Sequence, residues 1–489
     1  MLAHSLMNPT IATMTQSFDW KNSRNGKETT LVDMQCGKEL MHHMAHPLLL
    51  VSSASVATEI YKTHELTFAS RPPFIVDDEK LPYVGSSFIN APYCDYWKFI
   101  KKLCMTKLLG PHALELSRGV RLQELNCFLQ KMFDSASSNK PIDLGLELVK
   151  LTNNTVCRMV MSTKCSYKDD EAEKCRKLVQ ETLDLAVKMS IEDVLGSLKW
   201  LGFWFYGKQA KDVFRRFDEL IEDILKEHED RREAKSRGYS DYQDLMDTLL
   251  DIYYDNQAEF KLTRIQIKAF ILDLFIAATE SSANAMQWAM AELINHPVVF
   301  KKVREEIDSV VGNSRLVEES DIPKLPYFQA VMKEILRLHP TATIITRQSR
   351  EHCKIHGYDV PKKTSVLINL YAVMRDPQVW NDPNEFKPER FLVCKEREDS
   401  LYQEKEIEVL LSNFFTFGGG RRRCIGMMLS YCMMNATIAA MVQCFDWKTC
   451  GDGKETRIDM QVGKGMMHQL AHPLIAIPIA RFSPISTME

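Results

Sequence analysis

The sequence predicts one large, mostly α-helical domain with small β-sheets, and three observations support this fold class. A highly charged stretch, Lys208–Arg237, has the composition of a solvated helix. A long and largely apolar stretch, Thr263–Asn295, is typical of a helix buried in a core. The alternating stretch Thr341–Val373 predicts short strands, which Gly357 and Pro361 separate. Because no glycine–serine linker follows residue 50, these elements are predicted to belong to one continuous domain.

The elements between these stretches follow from local patterns. After Pro47, an apolar strand leads into an amphipathic helix that carries Val56, Ile60 and Leu66 and stops at Pro72–Pro73. The further predictions are a loop over Gly85–Tyr93, a basic helix over Asp95–Leu109, helical spacing from Pro141 to Gly202, and a helix over Tyr327–Leu338.

One uncharged window of 21 residues, Ile425–Phe445, is apolar enough to pass for a transmembrane helix. Its polar side chains favour a helix buried in the protein instead; they are Ser430, Asn435, Thr437 and Gln443. The N-terminal residues are too polar for a signal peptide or a membrane anchor, and we expect neither.

The composition excludes several classes of protein. A net charge of −3 gives no support to a nucleic-acid partner or to a polybasic membrane contact. The 13 cysteines are scattered and form no CxxC pair, which argues against a zinc ribbon, a redox dithiol and a disulfide scaffold. They favour a reducing compartment.

An internal repeat divides the chain. Met7–Leu48 aligns with Met434–Leu474 at 26 identical positions of 42, with one inserted residue. Two copies at opposite ends do not make a solenoid. We therefore interpret residues 1–48 as a duplicated C-terminal fragment, from a gene fusion or a mispredicted gene, and residues 49–489 as the main domain. A structural extension is the alternative.

The most informative motif is the loop Phe417–Gly426, FGGGRRRCIG. Its glycines allow tight turns and a close approach to a flat ligand. Arg422 supplies a cation for an anionic group, and Cys424, just before a predicted helix, lies where a thiolate is favoured. These are the properties that a haem-binding cysteine needs. The alternative is a surface turn with a structural cysteine.

Two other groups of residues have the spacing of functional motifs. Glu334 and Arg337 are three apart on one predicted helix, where they can pair, although most such pairs are solvated. Glu280 and Ser281 form an acid–alcohol pair on the long apolar helix, although an isolated helical serine more often bonds to its own backbone.

Together these motifs resemble those of the cytochromes P450. KEILRLHP, FKPERF and FGGGRRRCIG match the family, and the resemblance covers about Leu48–Arg481. It is strongest for the plant microsomal A-type group, near members from Brassicaceae that oxidise triterpenes and related specialised metabolites. It implies the P450 fold, with a helical core around a long central helix.

The resemblance also implies roles for individual residues. Cys424 would be the metal ligand of haem b (iron protoporphyrin IX), and Glu280 and Ser281 would relay protons. Glu334, Arg337 and Arg390 would form a buried ion network. The other haem-binding residues would be Trp97, Lys101, Arg347, Phe417, Gly420, Arg422 and Gly426. The substrate pocket would include Ile276, Ala277, Thr341, Ile345, Met466 and Met467.

The activity implied is that of a haem-thiolate monooxygenase. It would insert one oxygen atom from O2 into an apolar triterpenoid, sterol-like or phenolic substrate, with electrons from NADPH through NADPH–cytochrome P450 reductase. A basic face could receive the reductase; its residues are Lys98, Lys102, Lys107, Arg421 and Arg423. Two alternatives stay open: a haem-thiolate isomerase or dehydratase, and a non-catalytic or impaired product of gene fusion.

The sequence departs from the family pattern in three places. Ala278 stands where the family has a glycine that eases an opening of the helix, and Ser281 stands where it has threonine. The duplicated fragment replaces the membrane anchor, hinge, first helix and first strand. The family implies membrane association at the cytosolic face of the endoplasmic reticulum; without the anchor, a cytoplasmic location is the alternative.

Overall fold

The computed structural model describes residues 48–72, 82–162, 170–190, 199–235, 244–392, 400–449, 457–463 and 467–482. The helices are α1 (Ala54–Thr58), α2 (Pro82–Gly85), α3 (Asp95–Leu103), α4 (Pro111–Leu116), α5 (Arg118–Ser137), α6 (Leu144–Met161), α7 (Asp170–Ser190), α8 (Lys199–Lys235), α9 (Leu245–Tyr254), α10 (Arg264–Asn295), α11 (Pro297–Val310), α12 (Pro326–Leu338), α13 (Leu370–Val373), α14 (Ser400–Ser412) and α15 (Met427–Cys444). The strands are β1 (Leu48–Val51), β2 (Ile142–Asp143), β3 (Ile344–Gln348), β4 (Cys353–Ile355), β5 (Tyr358–Val360), β6 (Ser365–Asn369), β7 (Phe445–Thr449) and β8 (Ile475–Ala480). The prediction of a mostly α-helical fold with small sheets is confirmed.

The long helix α10 is the central element of the core. Thr263, where the sequence predicted its start, is the N-cap and forms a reciprocal capping box with Gln266. Thr152 of α6 donates a hydrogen bond to the carbonyl of Thr279, with an oxygen–oxygen distance of 2.5 Å. Contacts with α6 and α15 bury most of the length of α10, as its apolar composition predicted.

The described strands form three small sheets. β1 pairs in parallel with β6, and β3 pairs antiparallel with the other edge of β6. β7, β8 and β2 form a second, antiparallel sheet, and β4 and β5 form a hairpin that turns at His356 and Gly357. The predicted strands of Thr341–Val373 are therefore present up to Asn369. The last part is instead α13, because the Asn369 side chain accepts a hydrogen bond from the Ala372 N–H and caps a helix.

Two predicted boundaries can be compared with the structure. The charged helix α8 begins at Lys199 rather than Lys208. The basic stretch predicted as a helix over Asp95–Leu109 is helical to Leu108, as α3 followed by a π-helical turn. The uncharged window is α15, which begins at Met427. It is the helix among the described residues that is long and apolar enough to cross a membrane, and most of it is buried inside the protein. The duplicated fragment lies, up to Pro47, outside the described residues.

Candidate functional site

The glycine-rich loop lies between α14 and α15, and its backbone requires glycine at specific positions. Gly418 and Gly420 have φ angles of 68° and 62°, a region that disfavours side chains. A Cβ atom on Gly419 would lie 2.5 Å from Cγ of Tyr61. The loop closes with a hydrogen bond of 3.0 Å from the Cys424 N–H to the carbonyl of Phe417. The backbone therefore fixes the position of Cys424.

Cys424 exposes its side chain to a large internal cavity. Burial from bulk solvent raises the pKa of its thiol, while the backbone N–H groups of Gly426 and Met427 and the positive charge of Lys101 act in the opposite direction. The Nζ atom of Lys101 lies 2.7 Å from the carbonyl oxygen of Arg423, beside the cysteine. These donors and charges would favour a thiolate over a thiol once a metal ion supplies further positive charge.

The cavity has a volume of about 930 Å³ and lies between the loop and α10. Apolar side chains form much of its wall, including Leu274, Ala278, Ile344 and Leu429. Its size is at the upper end of that of ordinary small-molecule sites, so it has space for a large flat group and a second apolar molecule.

Three buried arginines form a positively charged part of the cavity wall: Arg71, Arg347 and Arg422. None of them has a carboxylate within salt-bridge distance among the described residues. Burial and the charges of the other two lower the pKa of Arg422 to about 8, and burial together with the charge of Arg347 lowers that of Arg71 to about 10. Buried cations that make no salt bridge within the described part of the chain favour a ligand that carries anionic groups at this end of the cavity.

The two aromatic residues predicted for the site support this arrangement. Arg422 lies over the Trp97 ring at 4.7 Å from its centroid, and the Phe88 ring stacks on the same indole with a centroid distance of 5.8 Å. Phe417 lies in the cavity wall and contacts Tyr431. Gly426 also lines the cavity, whereas Gly420 shapes the turn behind it, against Tyr61 and Glu65.

The predicted ion network is assembled behind the loop. Arg337 donates two hydrogen bonds to Glu334, at 2.7 and 2.8 Å, and Arg390 donates a third to the same carboxylate at 3.0 Å. Glu334 and Arg337 are fully buried. Arg337 also donates to the carbonyls of Met374, Pro383 and Glu385, so that one side chain joins α12 to the segment that follows α13.

The acid–alcohol pair of α10 is divided between two sides of the helix. Ser281 lines the cavity, and its hydroxyl donates a 2.6 Å hydrogen bond to the carbonyl of Ala277. Glu280 is half-buried and is not part of the cavity wall. Burial and, secondarily, the charge of Asp184 raise the pKa of Glu280, so its carboxyl group holds a proton more readily than an exposed one.

The residues predicted to line the substrate pocket are also divided. Ala277, Thr341, Ile345 and Met467 lie in the cavity wall. Ile276 does not line the cavity; it packs against a hydrophobic core cluster of buried residues. Met466 lies outside the described residues.

The predicted basic face is largely neutralised by neighbouring carboxylates. Lys98 pairs with Asp95 at 3.0 Å, and Lys102 pairs with Glu259 at 2.6 Å. Arg421 pairs with Glu65 at 2.9 Å. The remaining members, Lys107 and Arg423, are exposed and border the cavity.

Sequence reasoning missed two polar residues in the cavity wall, Arg71 and Asp273. Arg71 precedes a pair of prolines and had the pattern of a helix end. Asp273 is the one acid within an apolar stretch of α10, a signal that could have indicated a buried polar contact. It accepts hydrogen bonds from Ser87 Oγ at 2.8 Å and the Ile89 N–H at 3.1 Å, and burial raises its pKa to about 7. Asp273 thereby fixes the loop that carries Ile89.

Comparisons with known proteins agree on one family. The family model for cytochrome P450 matches residues 2–474. Cytochrome P450 705A5 of Arabidopsis thaliana is 45% identical over 436 residues, which are 89% of this chain and 83% of that protein. Beta-amyrin 24-hydroxylase of Glycine max is 40% identical, over 90% of this chain and 85% of its own.

A third relative supports the same assignment, and a solved structure supports the fold. The 3,9-dihydroxypterocarpan 6A-monooxygenase of Glycine max is 40% identical over 447 residues, covering 90% of this chain and 86% of its own. A zebrafish cytochrome P450 solved with progesterone superposes with a TM-score of 0.74 at 24% identity, over 89% of this chain and 94% of the zebrafish chain. At that identity the superposition supports the fold alone.

Proposed function

Because this chain belongs to the cytochrome P450 family and is a P450 monooxygenase, we propose that it inserts one oxygen atom from O2 into an apolar specialised metabolite. The electrons come from NADPH through a reductase. The observation that carries the proposal is the position of Cys424 at one side of a large, mostly apolar cavity that also contains Ser281. The substrate class is a triterpenoid, a sterol-like compound or a phenolic, in keeping with the amyrin and the pterocarpan in the names of two relatives.

The residues present fit the haem that the family uses. Cys424 would bind the iron through its sulfur, and the glycines of the loop leave room for the macrocycle. The two carboxylates of haem would neutralise the buried charges of Arg71, Arg347 and Arg422, with Trp97 packed beside them. When bound, haem supplies the activation of dioxygen.

Residues of α10 would supply protons to the cavity. Ser281 holds a proton on Oγ at the cavity wall and can direct it into the cavity by rotating away from the carbonyl of Ala277. The pKa of Glu280 is raised, so its carboxyl group holds a proton more readily. After a change of the Glu280 rotamer, this carboxyl group would return a proton to Ser281. Serine lacks the branch that limits the rotamers of threonine, so its hydroxyl samples unproductive positions more often.

Replacing Ser281 is therefore expected to change the amount of product formed per NADPH consumed. Ser281→Ala should reduce product formed per NADPH by about tenfold or more, because positioned proton donors contribute at least that factor. Ser281→Thr should raise the same ratio above that of the parent. Hydrogen peroxide released per NADPH measures the loss, and equal ratios in all three proteins would exclude a role for this hydroxyl.

A reductase would approach the side of the protein on which Lys107 and Arg423 are exposed. Three of the five predicted cations already have carboxylate partners, so attraction of an acidic donor would depend mainly on these two. Location at the cytosolic face of the endoplasmic reticulum membrane belongs to the same proposal.

The test of this function is spectral titration of the haem protein with a panel of triterpenes, sterols and phenolics. Compounds that shift the Soret band are then incubated with NADPH, a plant P450 reductase and isotope-labelled dioxygen. We expect a product that carries one labelled oxygen and forms only with NADPH. A product formed without NADPH or dioxygen would point to an isomerase or dehydratase instead.

A further inference from the structure

A buried polar cluster lies behind the cavity wall, apart from the residues discussed so far. It consists of Trp288 and Glu292 of α10, His339 at the end of α12, and His468 near the C-terminus, and all four are buried. The His339 ring stacks on Trp288 with a centroid distance of 4.0 Å and an interplanar angle of 6°. The His468 ring stacks on the same tryptophan at 4.8 Å. Three distant parts of the chain therefore meet at one indole ring.

The polar atoms of this cluster form a directed hydrogen-bond chain. His339 Nε2 lies 2.7 Å from Glu292 Oε1, and His339 Nδ1 lies 3.3 Å from His468 Nε2. Burial alone would raise the pKa of Glu292, but hydrogen bonds from His296 and His339 hold it at about 2, so the carboxylate is charged. Burial lowers the pKa of His468 to about 2 and lowers that of His339, so both rings are neutral.

This charge state assigns the protons. Neutral His339 must carry its proton on Nε2 in order to donate to the Glu292 carboxylate. Its Nδ1 is then an acceptor, and His468 must donate to it from Nε2. Each hydrogen bond of the chain thus has one donor and one acceptor, which makes the orientation of His468 well defined.

The cluster is connected to two residues of the cavity wall. The backbone N–H of His468 donates to the carbonyl of Thr341 at 2.9 Å, and Trp288 Nε1 donates to the carbonyl of His468 at 2.9 Å. Thr341 and Met467 both line the cavity, while the four cluster residues do not. The position of this part of the wall therefore depends on His468.

We propose that Glu292, His339 and His468 are positioning residues, which hold Thr341 and Met467 in the cavity wall and thereby set the size of the molecules that the cavity accepts. This inference rests on the proposed function, because it assigns specificity to the same cavity. If the cluster only stabilised the fold, its loss would lower the stability of the protein and would change the affinities for small and large ligands equally.

Two azoles of different size test the inference. Imidazole and clotrimazole both coordinate the haem iron through an azole nitrogen, but clotrimazole is far bulkier and fills much more of the cavity. His468→Leu keeps side-chain bulk and removes the donor. We expect it to change the dissociation constant of clotrimazole by about tenfold, as for the loss of one buried hydrogen bond, and that of imidazole by less than about twofold.

His468→Gln is the matched control, because its amide nitrogen can donate to His339, and we expect clotrimazole affinity close to that of the parent. Equal changes for both azoles in His468→Leu, or no change, would overturn the inference. If that variant does not load haem, Glu292→Gln is measured in its place with the same expectation. Failure of both variants to load haem would assign the cluster to folding alone and would also overturn the inference.

The proposed function fails separately from this inference. It fails if the parent protein itself lacks a thiolate-type Soret band when reduced with carbon monoxide. A parent that shows the band, with variants that bind both azoles unchanged, contradicts only the positioning role.

Discussion

Replacing Cys424 with alanine is expected to abolish the thiolate-type Soret band that the reduced protein gives with carbon monoxide. The band requires an anionic sulfur bonded to the haem iron. Among the described residues, Cys424 is the cysteine whose side chain lines the large cavity. A methyl group in its place supplies no ligand, so the loss should be complete. The measurement is a difference spectrum at matched protein concentration.

Cys432→Ala is the control for this experiment. Cys432 lies on α15, the helix that follows the loop, but it is half-buried and does not line the cavity. Its replacement should leave the band and its intensity unchanged. An intact band in Cys424→Ala, or its loss in Cys432→Ala, would show that the iron ligand had been misassigned.

Replacing Arg337 with alanine is expected to lower the free energy of unfolding by about 3–5 kcal/mol, the cost typical of removing one partner from a buried ion pair. Arg337 is fully buried and donates to both oxygens of Glu334 and to three backbone carbonyls. Without it, Glu334 retains the Arg390 side chain and the backbone N–H of Lys387. Urea denaturation, followed by tryptophan fluorescence, measures the change.

Lys333→Ala on the same helix is the matched control. Lys333 is half-buried and makes no ion pair within the described part of the chain. Its replacement should change the free energy of unfolding by about 0.5 kcal/mol or less, as is usual away from special contacts. If Arg337→Ala were no more destabilising than this control, the network would contribute little to the core behind the loop.

The fold could be predicted best where the signal lies within one element. The apolar composition of α10 predicted its first residue to within one position. The predicted start of α12 was also within one position of the start in the structure. Helix α5 was not predicted, because its buried side includes Arg121 and Glu124. These charges are neutralised by Glu319 and Arg158 from other elements, which a hydrophobic pattern cannot indicate.

The site was predictable to a similar degree. The spacing of residues in the loop indicated Cys424 and Arg422, since both belong to one ten-residue motif, Phe417–Gly426. The cavity residues Arg71 and Asp273 lie about 200 positions apart in the chain, and their importance follows from the burial that folding imposes on them. The direction of Glu280 away from the cavity depends on how α10 is rotated about its axis by its contacts with α6 and α15.

The sequence by itself determined the family of this protein, its central helix and the cysteine of its glycine-rich loop, because each depends on residues that are close together in the chain. The tertiary structure decided which charges are buried, which side chains face the cavity, and how His468 is hydrogen-bonded to Trp288 of α10. Burial and pairing are properties of surfaces that meet only after folding, so residues far apart in sequence determine them jointly.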